Sequence, residues 1–137
     1  MNPLGDDMSN DSTVTGMIGM DPPVIWKDFR DSRFRPDEDG YVAKAFVKLH
    51  VTSAKLDCEE GIVTLLNATG IAPLGRSAYP VDGMVDDVQE IVDAYPDRAF
   101  TGYLECCTDD GDWSRVAVVK GRARRYEPQM TWPAEVR

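Results

Sequence analysis

The sequence predicts an α+β fold in which one main helix covers an antiparallel sheet. Three observations support this prediction. Most segments alternate apolar and polar residues and are joined by short turns, which is typical of antiparallel strands. The clearest helical pattern, from Met84 to Tyr95, places its apolar residues on a single stripe. The predicted order β-α-β-β-α-β-β-β begins with a ferredoxin-like β-α-β-β-α-β core, and a C-terminal β-hairpin extends it.

The N-terminal part of the chain combines a leader, a strand and a short helix. Residues 1–12 are polar and have no period, so we expect a flexible leader before a single domain at residues 13–137. The first strand is predicted from Val14 to Met20. Pro22-Pro23 should end this strand and begin a short helix, because a proline cannot donate to a sheet. The apolar residues of that helix are Val24, Ile25, Trp26 and Phe29.

A hairpin is predicted in the middle of the chain, between two loops at residues 30–40 and 73–83. Its first strand, residues 45–52, shows the cleanest alternation in the sequence. One face carries Ala45, Val47, Leu49 and Val51, and the other carries Phe46, Lys48, His50 and Thr52. A turn from Asp57 to Gly61 then leads into the returning strand from Ile62 to Ala72.

The main helix is predicted from Met84 to Tyr95, with Asp82 as its N-cap and Pro96 at its end. Its apolar stripe consists of Val85, Val88, Ile91, Val92 and Tyr95. The acidic residues between them are expected to face solvent. Negative charge in the first turn also suits the helix dipole.

Three further strands are predicted in close succession. They span Ala99 to Cys106, Trp113 to Val119 and Arg122 to Tyr126. The first turn, Thr108 to Asp112, is rich in Asp and Gly, which favour turns. The second is the two-residue turn Lys120-Gly121, in which glycine supplies the positive φ. These segments complete an antiparallel sheet.

The net charge of −9 is unevenly distributed. Residues 82–112 contain ten acidic residues and one basic residue, whereas residues 113–137 contain two acidic and six basic residues. Phosphates repel an acidic protein, so direct binding of nucleic acid is not expected. The basic residues Arg122, Arg124 and Arg125 are interpreted as the solvated face of a strand, and they would protect it if it lies at the edge of the sheet.

Location is predicted from apolar runs and cysteine usage. No run approaches the roughly 20 apolar residues that cross a bilayer, and no secretory signal begins the sequence. Cys106 and Cys107 are adjacent, so in a strand they point to opposite faces and are poorly placed to bond each other. A disulfide between Cys58 and one of these two cysteines is left as an alternative. We expect reduced thiols and a cytoplasmic protein with no membrane contact.

The sequence contains no catalytic constellation, and an enzyme is therefore not expected. His50 is the only histidine, and no oriented partner is evident for it as a base. The acidic neighbours of Cys106 and Cys107 would raise a thiol pKa rather than lower it. Asp109, Asp110 and Asp112 lack the spacing of a calcium loop and suit a hairpin turn. No zinc pattern or phosphate-binding glycine loop is present, so no metal and no cofactor are expected.

The acidic face of the main helix is the candidate partner-binding surface. Its residues are Asp86, Asp87, Glu90, Asp93 and Asp97. Such a row of carboxylates can imitate nucleic-acid phosphates, although a solvated helix needs polar residues on its exposed side in any case.

Short motifs spread over residues 14–133 resemble a family of small proteins of unknown function found in actinobacteria and their phages. The motifs are Gly16-Met17-Ile18, Pro22-Pro23-Val24-Ile25-Trp26, Val88-Gln89-Glu90-Ile91-Val92-Asp93, Phe100-Thr101-Gly102-Tyr103-Leu104, Trp113-Ser114-Arg115-Val116, Glu127-Pro128 and Trp132-Pro133. The resemblance implies a cytoplasmic accessory protein that a phage could carry, and it brings no catalytic residue. The leader before Val14 and the glycine at position 19 depart from the usual start of the family.

Three functional hypotheses follow. The leading one is a non-enzymatic interaction protein, a phage or prophage accessory factor that binds and modulates a host protein. The second is an acidic mimic of nucleic acid that inhibits a host defence or nucleic-acid-processing protein, as anti-CRISPR proteins do. The third is a cryptic enzyme in which a pocket gathers carboxylates around His50. The oligomeric state is left open.

Overall fold

The computed structural model describes residues 12–74 and 81–128. The elements in chain order are β1 (Ser12–Ile25), α1 (Trp26–Phe29), β2 (Val47–Cys58), β3 (Gly61–Pro73), α2 (Val81–Ala94), β4 (Ala99–Thr108), β5 (Trp113–Val119) and β6 (Arg122–Tyr126). The predicted leader falls almost entirely outside these residues, as do positions 75–80 of the predicted loop. None of the helices in the described ranges has the length and apolar character needed to cross a membrane.

The fold is α+β, as predicted, with all six strands in one antiparallel sheet. Their order across the sheet is β2-β3-β1-β4-β5-β6. The helical contribution is small, because α1 comprises only four residues and α2 is the one long helix in the described chain. The sheet, rather than two equal layers, therefore dominates the structure.

The prediction that β1 ends before Pro22-Pro23 is wrong. The strand continues to Ile25, and only Trp26–Phe29 forms a helix. The register explains the error, since Gly19 pairs with Gly70 of β3 but Val24 pairs with Ala68. The intervening residues of β1, which include both prolines, bulge out of the ladder with β3, so no amide donor is needed there.

The central hairpin is longer than predicted. β2 and β3 pair from Val47 opposite Pro73 to Cys58 opposite Gly61, with a register shift after His50. The predicted alternation holds at the base of the hairpin, where Ala45, Val47 and Leu49 are buried. From residue 52 to residue 65 both strands are exposed on both faces. The distal half of the hairpin therefore projects from the body as a two-stranded ribbon.

The main helix lies close to its predicted position, but two details were wrong. It begins at Val81, so Asp82 lies in its first turn and is not the N-cap, and the predicted loop ends before Gly83. Asp87 is buried, whereas the pattern placed it on the solvent side.

The two edges of the sheet converge on α2. Gln89 of the helix donates to the carbonyl of Gly121 (3.1 Å) and accepts from the amide of Ala123 (2.7 Å), which fixes the helix to the β5–β6 edge. Asp87 accepts from the amide of Phe46 (2.8 Å), immediately before the opposite edge strand β2. The sheet therefore curves around the helix.

The core lies between the concave face of the sheet and α2. The helix contributes Met84, Val88, Ile91 and Val92, and the strands contribute inward residues such as Ile18, Leu49, Ile71, Leu104 and Val116. Phe29, Phe34 and Val42 close the same core from α1 and the loop before β2. Outside the ribbon, the inward face of the sheet is thus covered, which leaves the outward face as a separate surface.

Candidate functional site

The structure does not keep the five predicted acidic residues together as one free surface. Asp87 is only 7% exposed and holds two donors. Its Oδ2 accepts from the amide of Phe46 (2.8 Å), and its Oδ1 accepts from the guanidinium of Arg33 (3.1 Å). A carboxylate that accepts from a part-buried amide and an arginine is a structural link between α2 and the segment that joins α1 to β2.

Glu90 belongs to the same cluster. Its two carboxylate oxygens accept from Nε (2.9 Å) and Nη2 (2.8 Å) of Arg33, which is a bidentate pair. The hydrogen bond from Arg33 lowers the pKa of Glu90, and the same bond raises the pKa of Arg33. Two of the five candidate carboxylates are therefore engaged by one arginine, which offsets one of their two negative charges.

The other three carboxylates lie in different settings. Asp93 accepts from the side chain of Gln89 (3.0 Å), which itself is bound to the β5–β6 turn. Asp86 and Asp97 are exposed, Asp86 on α2 and Asp97 after its end. The acidic helix face thus offers scattered charges rather than a continuous row.

The residues considered for catalysis do not converge either. His50 lies on β2 opposite Gly70, and no described side chain donates to or accepts from its imidazole. Cys58 is exposed at the ribbon tip, whereas Cys106 is buried, and all three cysteines are unbonded thiols. Burial raises the pKa of the Cys106 thiol, which outweighs the opposing hydrogen bond with Ser114. Cys106 therefore has the properties of an inert core residue.

The acidic turn between β4 and β5 is a hairpin turn. The amide of Gly111 donates to the carbonyl of Thr108 (3.0 Å), and the amide of Asp112 donates to the Thr108 hydroxyl (3.1 Å). Within residues 12–74 and 81–128, no three His, Cys, Asp or Glu side chains are grouped so that they could hold a metal ion.

The outward face of β4, β5 and β6 presents a different surface. The register sets its side chains in rows across the strands, and each residue in a row lies directly opposite its neighbour. One row is Glu105, Arg115 and Tyr126, and the next is Tyr103, Ala117 and Arg124. Trp113 lies in the row beyond Glu105, opposite Cys107. We call the set Tyr103, Trp113, Arg115, Arg124 and Tyr126 the arginine–aromatic face.

The three aromatic side chains of this face are open to solvent. Tyr103, Trp113 and Tyr126 are between 40% and 50% exposed. The guanidinium of Arg115 lies over the ring of Tyr103, with 4.1 Å from its central carbon to the ring centre. Its Nε also donates to Glu105 (2.9 Å), and this hydrogen bond raises the pKa of Arg115. Arg115 is thereby held over the ring of Tyr103, and in the register it lies opposite Tyr126.

A groove runs along the open end of this face. It has a volume of about 630 Å³ and passes beside Trp113 and Arg115, where β5 extends past the described end of β6. Tyr126, Glu127 and Pro128 form its other wall. The groove is a shallow feature of an open surface.

The arginine–aromatic face was not predicted from the sequence, although part of the signal was present. In β5 the exposed residues Trp113 and Arg115 alternate with the buried residues Ser114 and Val116. In β6 the arginines were interpreted only as a solvated face. The missing information was the strand order, because it alone shows that Tyr103, Arg115 and Tyr126 come from three adjacent strands.

Comparison with known proteins gives a family without an assigned activity. Residues 8–136 match the model of a family described as a family of unknown function, DUF6205. No curated protein matches the chain. No solved structure matches it.

Proposed function

This chain belongs to the DUF6205 family of unknown function, and we propose that it is a non-enzymatic binding protein whose arginine–aromatic face recognises a second protein. The observation that carries the proposal is the exposure of Tyr103, Trp113 and Tyr126 around an arginine that is already oriented. When a partner covers apolar rings that were in contact with water, the free energy falls, and this burial stabilises the complex.

The composition of the face favours a protein partner. Tyrosine, tryptophan and arginine are the residues that carry most of the binding energy in protein interfaces. Arg115 is held by Tyr103 and Glu105, so little side-chain entropy is lost when it binds. A sheet surface that combines an anchored arginine with large rings suits the centre of an interface.

The local charge argues against nucleic acid as the ligand. Glu105 already neutralises Arg115, and Glu127 is paired with Arg125 beside the groove. The acidic turn that contains Asp109, Asp110 and Asp112 immediately precedes Trp113. Phosphates approaching the tryptophan would meet these carboxylates at short range, where salt screens repulsion least.

The acidic helix face is the weaker candidate surface. An imitation of nucleic acid needs several free carboxylates at regular spacing. Here Asp87 and Glu90 are engaged by Arg33, and Asp93 is engaged by Gln89. We therefore rank phosphate mimicry below recognition by the arginine–aromatic face.

The expected partner is a bacterial host protein in the cytoplasm, because the motifs resemble those of proteins from actinobacteria and their phages. We also propose that the fold is a ferredoxin-like sandwich extended by a C-terminal hairpin, and the strand order β2-β3-β1-β4 followed by β5 and β6 supports this proposal. In that arrangement α1 is reduced to one turn.

The proposal is tested with three forms of the full tagged chain. They are the unmodified chain, a face variant (Tyr103→Ala, Trp113→Ala and Tyr126→Ala) and a helix variant (Asp86→Ala and Asp97→Ala). Proteins captured from nuclease-treated actinobacterial lysate are identified, and the Kd of each purified candidate is measured by calorimetry. We expect the face variant to weaken binding by at least about a hundredfold, since hot-spot truncations cost about 2 kcal/mol or more.

The helix variant is the matched control, and its Kd should stay within about twofold of that of the unmodified chain. Circular dichroism and thermal unfolding confirm that both variants are folded. A helix variant that loses binding while the face variant retains it would favour phosphate mimicry instead. If the unmodified chain binds a fluorescent oligothymidine tightly, the ligand of the face is single-stranded nucleic acid and not a protein.

A further inference from the structure

The two-stranded ribbon at residues 52–65 is the part of the chain that the proposed function does not use. It is exposed on both faces, and its strands extend beyond the last β1 partner of β3, Asn67. Four of its side chains, Leu56, Ile62, Val63 and Leu65, are apolar and between 42% and 67% exposed. A long strand with a free edge and apolar side chains is a site at which another strand can pair.

The free edge belongs to β2, and its hydrogen-bonding positions follow from the register. The amide of Leu49 points away from β3, because it donates to the carbonyl of Phe34 (2.9 Å). The register shift after His50 adds Thr69 on β3 and no residue on β2, so the alternation along β2 continues across it. Val51, Lys55 and Asp57 therefore also direct their amides and carbonyls outward. None of these outward groups has a backbone partner in the described chain.

The side chains of the ribbon are sorted by face. Leu56 lies opposite Val63, and Ala54 lies opposite Leu65, so these four residues form an apolar patch on one face. On the other face Lys55 and Asp57 lie two residues apart on β2, opposite Thr64 and Ile62. The free edge therefore carries one cation and one anion at the spacing of two successive side chains on the same face.

We propose that two copies of this chain pair antiparallel through the free edge of β2, with Leu56 on the two-fold axis. This register places Lys55 of each copy opposite Asp57 of the other, so the same ion pair forms twice. It also places the two Leu56 side chains side by side, which continues the apolar row from Val63 of one copy to Val63 of the other. Such self-complementarity is what a symmetric dimer requires.

Neighbouring registers are less favourable. When two copies pair antiparallel about a two-fold axis, corresponding faces of the two strands must lie on the same side. The axis must then pass at a residue position and not between two successive residues. A centre at Lys55 would oppose two lysines directly, which is repulsive. A centre at Ala54 would set Asp57 opposite Val51 and Leu56 opposite Thr52, so both the ion pairs and the leucine contact would be lost. Charge and apolar pattern together favour the centre at Leu56.

The contact is confined to the ribbon, so the dimer is small and reversible. Interfaces below about 1,200 Å² are typical of weak complexes. The ribbon lies at the β2 edge of the sheet, while the arginine–aromatic face lies on β4, β5 and β6 at the other side. Self-association is therefore independent of the proposed function, and an experiment with this chain alone tests it separately.

Sedimentation equilibrium of the full chain over a wide concentration range provides the first test. The unmodified chain should show a reversible rise in average mass with concentration. Lys55→Asp and Asp57→Lys should each weaken self-association by about tenfold or more, because two ion pairs become two repulsions. An equimolar mixture of the two variants should associate again, because each reversed charge then meets its complement in the other chain.

Disulfide trapping tests the register directly. In the proposed pairing Ala54 lies opposite Cys58 of the second copy, at a Cβ separation compatible with a disulfide. Under mild oxidation Ala54→Cys should therefore give a covalent dimer, whereas the adjacent control Ser53→Cys should not exceed the unmodified chain. The proposal is overturned if the chain stays monomeric at every concentration, if the mixture of charge variants does not associate, or if both cysteine variants cross-link equally.

Discussion

Asp87 shows at the scale of single residues how one carboxylate can have a structural role that its position in the sequence conceals. Helical periodicity places it among solvent-facing acids, yet it is buried and connects α2 to Phe46 and Arg33. The sequence could not reveal this, because burial of a carboxylate depends on partners 41 and 54 residues away. Asp86, its neighbour, is exposed as the pattern predicts.

Replacing Asp87 with alanine should lower the free energy of unfolding by about 2 kcal/mol. The substitution leaves the Phe46 amide without its acceptor and removes one carboxylate from Arg33. Urea denaturation at pH 7 provides the measurement. Asp86→Ala is the control and should change the free energy by less than about 0.5 kcal/mol. Equal losses in the two variants would contradict the structural role of Asp87.

The pairing of Glu90 with Arg33 should make part of the stability depend on pH. Because Arg33 lowers the pKa of Glu90 in the folded chain, the pair stabilises the fold above the ordinary pKa of glutamate. This contribution is lost as the pH falls through the lowered value. At pH 7, Glu90→Gln should cost about 0.5 kcal/mol, since both side chains are about half exposed.

The measurement is the free energy of unfolding of both proteins between pH 7 and pH 3. The difference between them should shrink as the pH falls and should also shrink in high salt. A difference that stays constant from pH 7 to pH 3 would show that the pair does not contribute through its charge.

At the scale of secondary structure, the elements with clear periodicity were predictable and the irregular ones were not. The bounds of β5 and β6 agree with the prediction, and α2 differs by a few residues at its start. β1 was misjudged because the sequence shows the two prolines but not the bulge that accommodates them. The length of the ribbon was also missed, since its distal half has no buried face to create a pattern.

The close approach of β1 and β4 depends on glycine. Gly16 and Gly102 both have positive φ, and each backbone lies against the other strand. A Cβ at Gly102 would lie 2.6 Å from the carbonyl oxygen of Met17, and a Cβ at Gly16 would lie 2.5 Å from that of Tyr103. Both positions therefore exclude a side chain unless one of the two strands shifts.

Gly102→Ala should destabilise the fold by about 3 kcal/mol, because the positive φ and the clash with β1 both act. Gly111→Ala tests the effect of positive φ without the clash. Gly111 also has positive φ, but its Cβ would meet no atom within 4 Å, so only about 1 kcal/mol is expected. Thermal and urea unfolding of both variants provide the comparison. Equal destabilisation would show that the contact with Met17 does not matter.

At the scale of the whole molecule, the two sides of the sheet differ in character. The concave side is closed by α2, whose exposed surface includes Asp86, Glu90 and Asp93, and the convex side carries the arginine–aromatic face. The sequence shows the charge difference between residues 82–112 and 113–137. It does not show that Tyr103, Arg115 and Tyr126 lie on one surface, because their proximity depends on the order of three strands.

Photo-crosslinking in living cells tests the central claim most directly. Benzoylphenylalanine replaces Trp113 in one full-length variant and Asp86 in another, and both are expressed in an actinobacterial host and irradiated. We predict that position 113 gives a defined protein adduct of one mass, while position 86 gives none above background. A defined adduct at position 86 together with none at position 113 would contradict the account and assign recognition to the acidic helix.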